Sequence, residues 1–337
     1  MLVPIAIEAK NRGHEVCVAA EGAGVFLWFQ AGLKPFFIGA PSSDIIAPVF
    51  DAGAFLKNVR PDAILMEFPF SVNIAKDVGL EANKRGIPVI LIEDYWAVSK
   101  RLCGIRLDLI LTIDEYAKKI AEETTLWRIP VKVIGNHAVS DIKKYSTPDK
   151  VLEILSEARR RFDELFVYIG GNVAEADLKL LVSSLLLTPG NWGLIPCYHP
   201  NYKDRIEDVS GKKCFEIWDE LLDPIHNRIV RCDSGTSDDL AILADACFSA
   251  FGSSVSTAIR SGKPAVILST PESDAALKKV NLEEVPWLAL GAVGIIKTPQ
   301  NIRPFLTPAS EEVRNKFIPL NPKKAADYIE DFLLSIK

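Results

Sequence analysis

The groups best placed to do chemistry in this chain stand at the ends of apolar runs. Ala246 to Phe251 is a short apolar run, Gly252-Ser253-Ser254 a turn, and Val255 to Arg260 a small-residue segment that breaks at Gly262-Lys263-Pro264. Glycine permits a sharp turn, and either serine can cap the helix that follows. Backbone N–H groups at such a helix start carry partial positive charge, and at the carboxyl edge of a parallel sheet they suit a phosphate. The same residues also read as an ordinary strand–turn–helix unit with a serine cap. A second set is acidic. Glu67 ends one apolar run and is followed by Phe68-Pro69-Phe70-Ser71; Glu93 and Asp94 end another and are followed by Tyr95 and Trp96. A carboxylate at a strand end, flanked by aromatic surface, can take a proton from a hydroxyl, although Asp and Glu there also cap helices. Successive strand residues face opposite sides, so only one of Glu93 and Asp94 can face a cleft. Asp94, which leads into Tyr95 and Trp96, is the expected base ahead of Glu67, and Glu93 is expected to anchor the strand. Asp114-Glu115 reads as a helix cap, and His14 and His137 as isolated structural histidines.

Alternating short elements must position these groups. Helices are expected over 2–11, 22–31, 45–58, 73–85 and 115–123, and strands over 14–20, 34–39, 62–67, 88–93, 108–112 and 131–134. After a polar stretch at 140–150, a helix over 151–162 carries Arg159-Arg160-Arg161. A strand over 165–169 then leads into Gly170-Gly171-Asn172 and a helix over 176–187, and the last helix is expected over 323–335. Apolar strands separated by helices imply parallel sheets with crossovers, hence α/β, doubly wound domains. The chain opens inside a helix where such a domain usually opens with a strand. A first strand missing from the centre of the first sheet is therefore expected.

Length and composition narrow the class. With 337 residues the chain exceeds one usual core, and 48% hydrophobic with 25% charged residues is ordinary globular composition. A net charge of −5 argues against a general nucleic-acid binder. Six scattered cysteines without a CxxC pair fit a cytoplasmic protein with reduced thiols. The arginine run is expected to be a solvated face, with contact to an acidic substrate or to lipid headgroups as the alternative.

Several short segments resemble GT-B glycosyltransferases. Arg12-Gly13-His14-Glu15-Val16 resembles the segment after their first helix, Arg60-Pro61-Asp62 their "PD" strand, and Gly86-Ile87-Pro88 the "GIP" strand toward the acceptor cleft. Val133-Ile134-Gly135-Asn136 resembles the strand before their interdomain linker. Gly170, Gly171 and Asn172 resemble the loop that opens their donor domain. His199-Pro200, followed later by Ser253-Ser254, is similar to the "HP" and Ser-Ser motifs of enzymes that use cytidine nucleotides. In that setting His199 would donate to a phosphate oxygen, with Lys203 as a nearby cation. The same pieces are shared with the UDP-N-acetylglucosamine 2-epimerases. One departure stands out: Thr257 occupies the place of the acid that holds the donor ribose, and a threonine offers a single weaker hydrogen bond.

The resemblance implies two Rossmann-like domains facing a cleft: 1–145 on the acceptor side, 146–321 binding the nucleotide donor, and 322–337 a helix crossing back to the first. It implies a metal-independent glycosyltransferase of polysaccharide or glycoconjugate synthesis. Asp94 and Glu67 would be catalytic, and Gly170, Gly171, Asn172, His199, Gly252, Ser253, Ser254 and Thr257 would hold the donor. The nucleotide-sugar is substrate, with no cofactor and no metal expected, and the acceptor is an unknown sugar or lipid-linked group. A peripheral membrane contact fits that acceptor. The alternatives are a sugar-nucleotide 2-epimerase or hydrolase, and a degenerate, non-catalytic partner subunit.

Overall fold

In the computed structural model, the described residues are 2–20, 24–37, 50–67, 74–101, 104–126, 128–139, 146–170, 174–198 and 211–336. They fall into two units, Met1–His137 with Leu320–Lys337, and Ala138–Pro319.

The first unit runs α1 (Leu2–Asn11), β1 (Ala19–Ala20), α2 (Gly24–Gln30), β2 (Phe36–Phe37), α3 (Ala52–Val59), β3 (Ile64–Glu67), α4 (Ile74–Arg85), β4 (Val89–Ile92), β5 (Leu109–Thr112), α5 (Glu115–Thr124) and β6 (Val131–Val133). β4 and β5 are buried along their whole length, which is why they read as unbroken apolar runs. Strands β3 to β6 pair in parallel in chain order. β1 and β2 form a separate two-stranded piece. Among the described residues neither of them pairs with β3 to β6. The strand expected over 14–20 shrinks to Ala19–Ala20. His14 is instead tied to the end of α1, its N–H donating to Ala9 O, and its ring meets Glu330 at 2.8 Å.

The second unit runs α6 (Asp149–Ala158), β7 (Glu164–Ile169), α7 (Ala174–Leu186), β8 (Trp192–Cys197), α8 (Cys214–Leu222), α9 (Ser237–Leu243), β9 (Ala246–Ser249), α10 (Val255–Arg260), β10 (Ala265–Leu268), α11 (Pro271–Lys279), α12 (Pro286–Ala289), β11 (Gly294–Ile296) and α13 (Glu311–Arg314). Its five parallel strands lie in the order β11-β10-β9-β7-β8, and Ile229 adds a single parallel bridge outside β8, at Leu194. Counted with that bridge, the spatial order is 3-2-1-4-5-6, the dinucleotide-binding arrangement. Its core stacks Phe166, Tyr168, Trp192, Trp218 and Phe248.

The closing helix α14 (Pro322–Ser335) belongs to the first unit. Ala325, Tyr328, Ile329 and Phe332 pack with Ile5, Ile90 and Ile92 on one sheet face. Arg12 of α1 donates to Asp327 at 2.7 Å and to Glu330 at 2.9 Å. The Arg159-Arg160-Arg161 run is in part structural. Arg159 makes a bidentate pair with Asp245, and the Arg161 guanidinium lies over Phe162. No helix among the described residues is long and apolar enough to cross a membrane.

Candidate functional site

Two groups of residues gather at the carboxyl ends of strands, one in each unit. In the first unit, Glu67 closes β3 and pairs with Ile92 of β4, so Asp94 stands two residues beyond the neighbouring strand end. Leu65 and Ile92 lie in the cluster with Ile5 and Ala325, which puts Glu67 and Asp94 on the α1/α14 face by alternation. Glu67 Oε1 accepts the Leu2 N–H at 2.7 Å at the start of α1, the helix-capping role that strand-end acids often take. Asp94 is half-buried, and its pKa is pushed up to about 6, first by burial and then by the charge of Glu67. His137, just beyond β6, also feels Glu67, although loss of solvent is the larger influence and lowers its pKa.

Glu93 differs from its neighbour. It is fully buried, its Oε1 accepts the Ser99 N–H at 2.8 Å, and burial raises its pKa to about 7. Asp114 caps α5 through the Ala117 N–H and accepts Trp96 Nε1 at 2.9 Å. Trp96 is buried, so it does not supply the aromatic surface expected beside the carboxylate; Tyr95 packs edge-on against it at 5.6 Å. Phe68, Pro69, Phe70 and Ser71 lie outside the described residues.

In the second unit the strand order reverses between β7 and β9, and ligands of such sheets bind outside the carboxyl ends at that reversal. Gly170 follows β7 and Gly252 follows β9. Neither has a left-handed backbone; each is glycine because space is short. A Cβ on Gly170 would stand 2.3 Å from the Trp218 ring, and one on Gly252 would stand 2.7 Å from Ile169 Cγ2 and 2.8 Å from Ser249 Oγ. Ser249 locks the turn, its hydroxyl donating to Ile169 O and accepting the Gly252 N–H, both at 2.8 Å. Pairing register alone reveals that clamp, so motif spacing missed it.

The serines divide their tasks differently from the expected cap. Ser254 stands at the start of α10 without a side-chain cap, and its hydroxyl pairs with Ser237 Oγ at 2.7 Å. Ser253 is exposed. Val255 N–H bonds to Gly252 O, which makes 252–255 a β-turn. The amides of Ser253 and Ser254 bond to no protein group among the described residues and remain as donors. Thr257 is fully buried and its hydroxyl donates to Ala138 O at 3.1 Å. Gly171, Asn172 and His199 lie outside the described residues. Beside β8, Arg231 donates to the Tyr198 hydroxyl at 2.9 Å and to Asp219 Oδ1 at 2.5 Å, while Tyr198 stacks on Trp218 at 4.4 Å. Among the described residues no cluster of three or more His, Cys, Asp or Glu could hold a metal ion.

No family model matches the chain. Nor does any curated protein match it in sequence. Solved structures do match in shape. HepE of Anabaena in complex with UDP is similar over 99% of this chain and 95% of its own, with a TM-score of 0.60 at 16% identity. The calicheamicin glycosyltransferase CalG4 aligns over 98% and 94%, with a TM-score of 0.58 at 13% identity. The UDP-GlcNAc 2-epimerase from Neisseria meningitidis, bound to UDP-GlcNAc, aligns over 99% and 96%, with a TM-score of 0.57 at 16% identity. Two parallel-sheet α/β units and these likenesses across nearly the whole chain lead to one conclusion: this protein has the GT-B fold, shared by glycosyltransferases and UDP-GlcNAc 2-epimerases.

Proposed function

We propose that this protein is a glycosyltransferase that takes a sugar from a nucleotide-activated donor. The observation that carries this reading is the Gly252-Ser253-Ser254 turn at the strand-order reversal, with two amides still available as donors. Such donors stabilise a diphosphate leaving group without a metal. Asp94 of the first unit is the base that takes the acceptor proton, and burial first, then the charge of Glu67, keep it basic enough to do so near neutral pH. The proposed setting is synthesis of a surface polysaccharide or glycoconjugate in the cytoplasm, with a sugar or lipid-linked acceptor.

Ser254 Oγ already pairs with Ser237 Oγ, and the donor phosphate is assigned to the backbone amides of the turn. Ser253 is the second residue of the β-turn, a position that accepts proline. Ser253→Pro therefore removes one donor while keeping the turn. Calorimetry with UDP should show about tenfold weaker binding, the order for losing one bond to a charged group. Unchanged affinity would dismiss the site.

A sugar-nucleotide 2-epimerase or hydrolase is the second reading, favoured by the coupled acids Glu67 and Asp94 in one unit. Incubation with UDP-GlcNAc and with CMP- and CDP-linked donors, without acceptor, separates the two. Product without acceptor favours the second. Binding of nucleotide with no turnover under any condition would favour a non-catalytic partner subunit.

A further inference from the structure

Glu93 and Asp94 are chain neighbours with opposite surroundings, and the five residues between Glu93 and Ser99 explain why. The chain leaves β4 at Ile92 and turns under the sheet edge. The Glu93 carboxyl reaches across to accept the Ser99 N–H at 2.8 Å, while the Glu93 N–H donates to Leu111 O of β5 at 2.8 Å. Inside this closed loop Ala97 is fully buried and left-handed, at φ 61, a conformation an alanine holds only when its surroundings impose it. A second tie holds the middle of the loop: Trp96 Nε1 donates to Asp114 Oδ2, and the Ala117 N–H fixes Asp114 in turn. Glu93 has no exposed surface, so a substrate hydroxyl cannot reach its carboxyl while the loop is closed.

We propose that Glu93 is a positioning residue: by accepting the Ser99 N–H across the loop, it fixes Asp94 beside Glu67 at the sheet edge. This rests on the reading of Asp94 as the proton acceptor. The groups that face the pair are Glu67 toward Asp94, Asp114 and the Thr112 and Ser99 hydroxyls toward Glu93, and His137 toward Glu67. Burial first, and then the charge of Glu67, raise the Asp94 pKa. The role assigned to position 93 is that of an acceptor oxygen facing the Ser99 N–H.

The test uses the full chain carrying 13C-labelled aspartate carboxyls, with the Asp94 signal identified by its loss in Asp94→Asn. In the wild type Asp94 should titrate near pH 6, as its surroundings dictate. Glu93→Gln keeps an oxygen facing the Ser99 N–H and should leave that midpoint unmoved. Glu93→Leu keeps the bulk but loses the acceptor, and should lower the midpoint by about one unit toward an ordinary aspartate. A shift in Glu93→Gln as large as in Glu93→Leu would overturn the proposal, and so would an Asp94 unmoved in Glu93→Leu. If Glu93→Leu does not fold, hydrogen exchange at the Ser99 amide in Glu93→Gln decides: protection supports the closed loop, and free exchange overturns it. The titration needs no turnover. A wild type that consumes no donor would remove the reaction proposed above while the positioning result is still read. Where turnover is measured, Glu93→Leu should lower kcat about tenfold or more at unchanged donor KM, within the range that a general base contributes.

Discussion

Glu67 ends β3, Asp94 stands two residues beyond the end of β4 on the same sheet face, and burial first, then the charge of Glu67, make Asp94 harder to ionise. A base works only when deprotonated, so turnover should fall as pH drops through about 6. Glu67→Gln removes the like charge, and the acid limb of kcat/KM against pH should move to lower pH. A limb that stays in place would show that Glu67 does not act on Asp94. Asp94→Asn should cut turnover by about 10²–10⁴-fold with UDP affinity unchanged in calorimetry. The different surroundings of Glu93 and Asp94 were readable from strand alternation alone, because adjacent residues must face opposite ways. The burial of Trp96 was not. Its environment depends on Asp114, eighteen residues later in the chain, and no local pattern reports that bond.

At the scale of elements, β4, β5, β7 and β9 were visible as apolar runs because both sheet faces are covered. β11 and α8 were not anticipated. β11 is three residues opening on glycine, too short for a periodic signal, and α8 follows the polar stretch after His199-Pro200. Yet α8 supplies Trp218, whose ring occupies the space that makes residue 170 a glycine. Gly170→Ala should therefore destabilise the second unit by about 1–3 kcal/mol through overpacking, seen as a lower urea midpoint. The ring atoms in the way belong to the outer part of the indole, so adding Trp218→Leu should recover part of the loss. Purely additive losses would place the strain elsewhere.

For the whole molecule, four acids held wholly or partly out of water contribute to the pH dependence of stability. Glu93 and Asp177 have pKa values pushed up to about 7, and Asp94 and Asp114 to about 6, in each case first by burial. Between about pH 4 and 7 the folded chain thus holds more protons than the unfolded chain, and these groups make stability fall as pH rises through that window. Thermal melts should show a higher Tm near pH 5 than near pH 7.5. Asp177→Asn should flatten the slope while keeping an acceptor for the Thr270 hydroxyl. A slope equal to the wild type's would exclude Asp177 as a contributor. The division of the chain is uneven in another respect: the second unit is one continuous segment, whereas the first takes its last helix from beyond Pro319. On the ribosome the half that is made first is therefore finished last. Until α14 arrives, Ile5, Ile90 and Ile92 lack their cover and Arg12 lacks Asp327 and Glu330, an interval in which a nascent chain is open to chaperones and proteases.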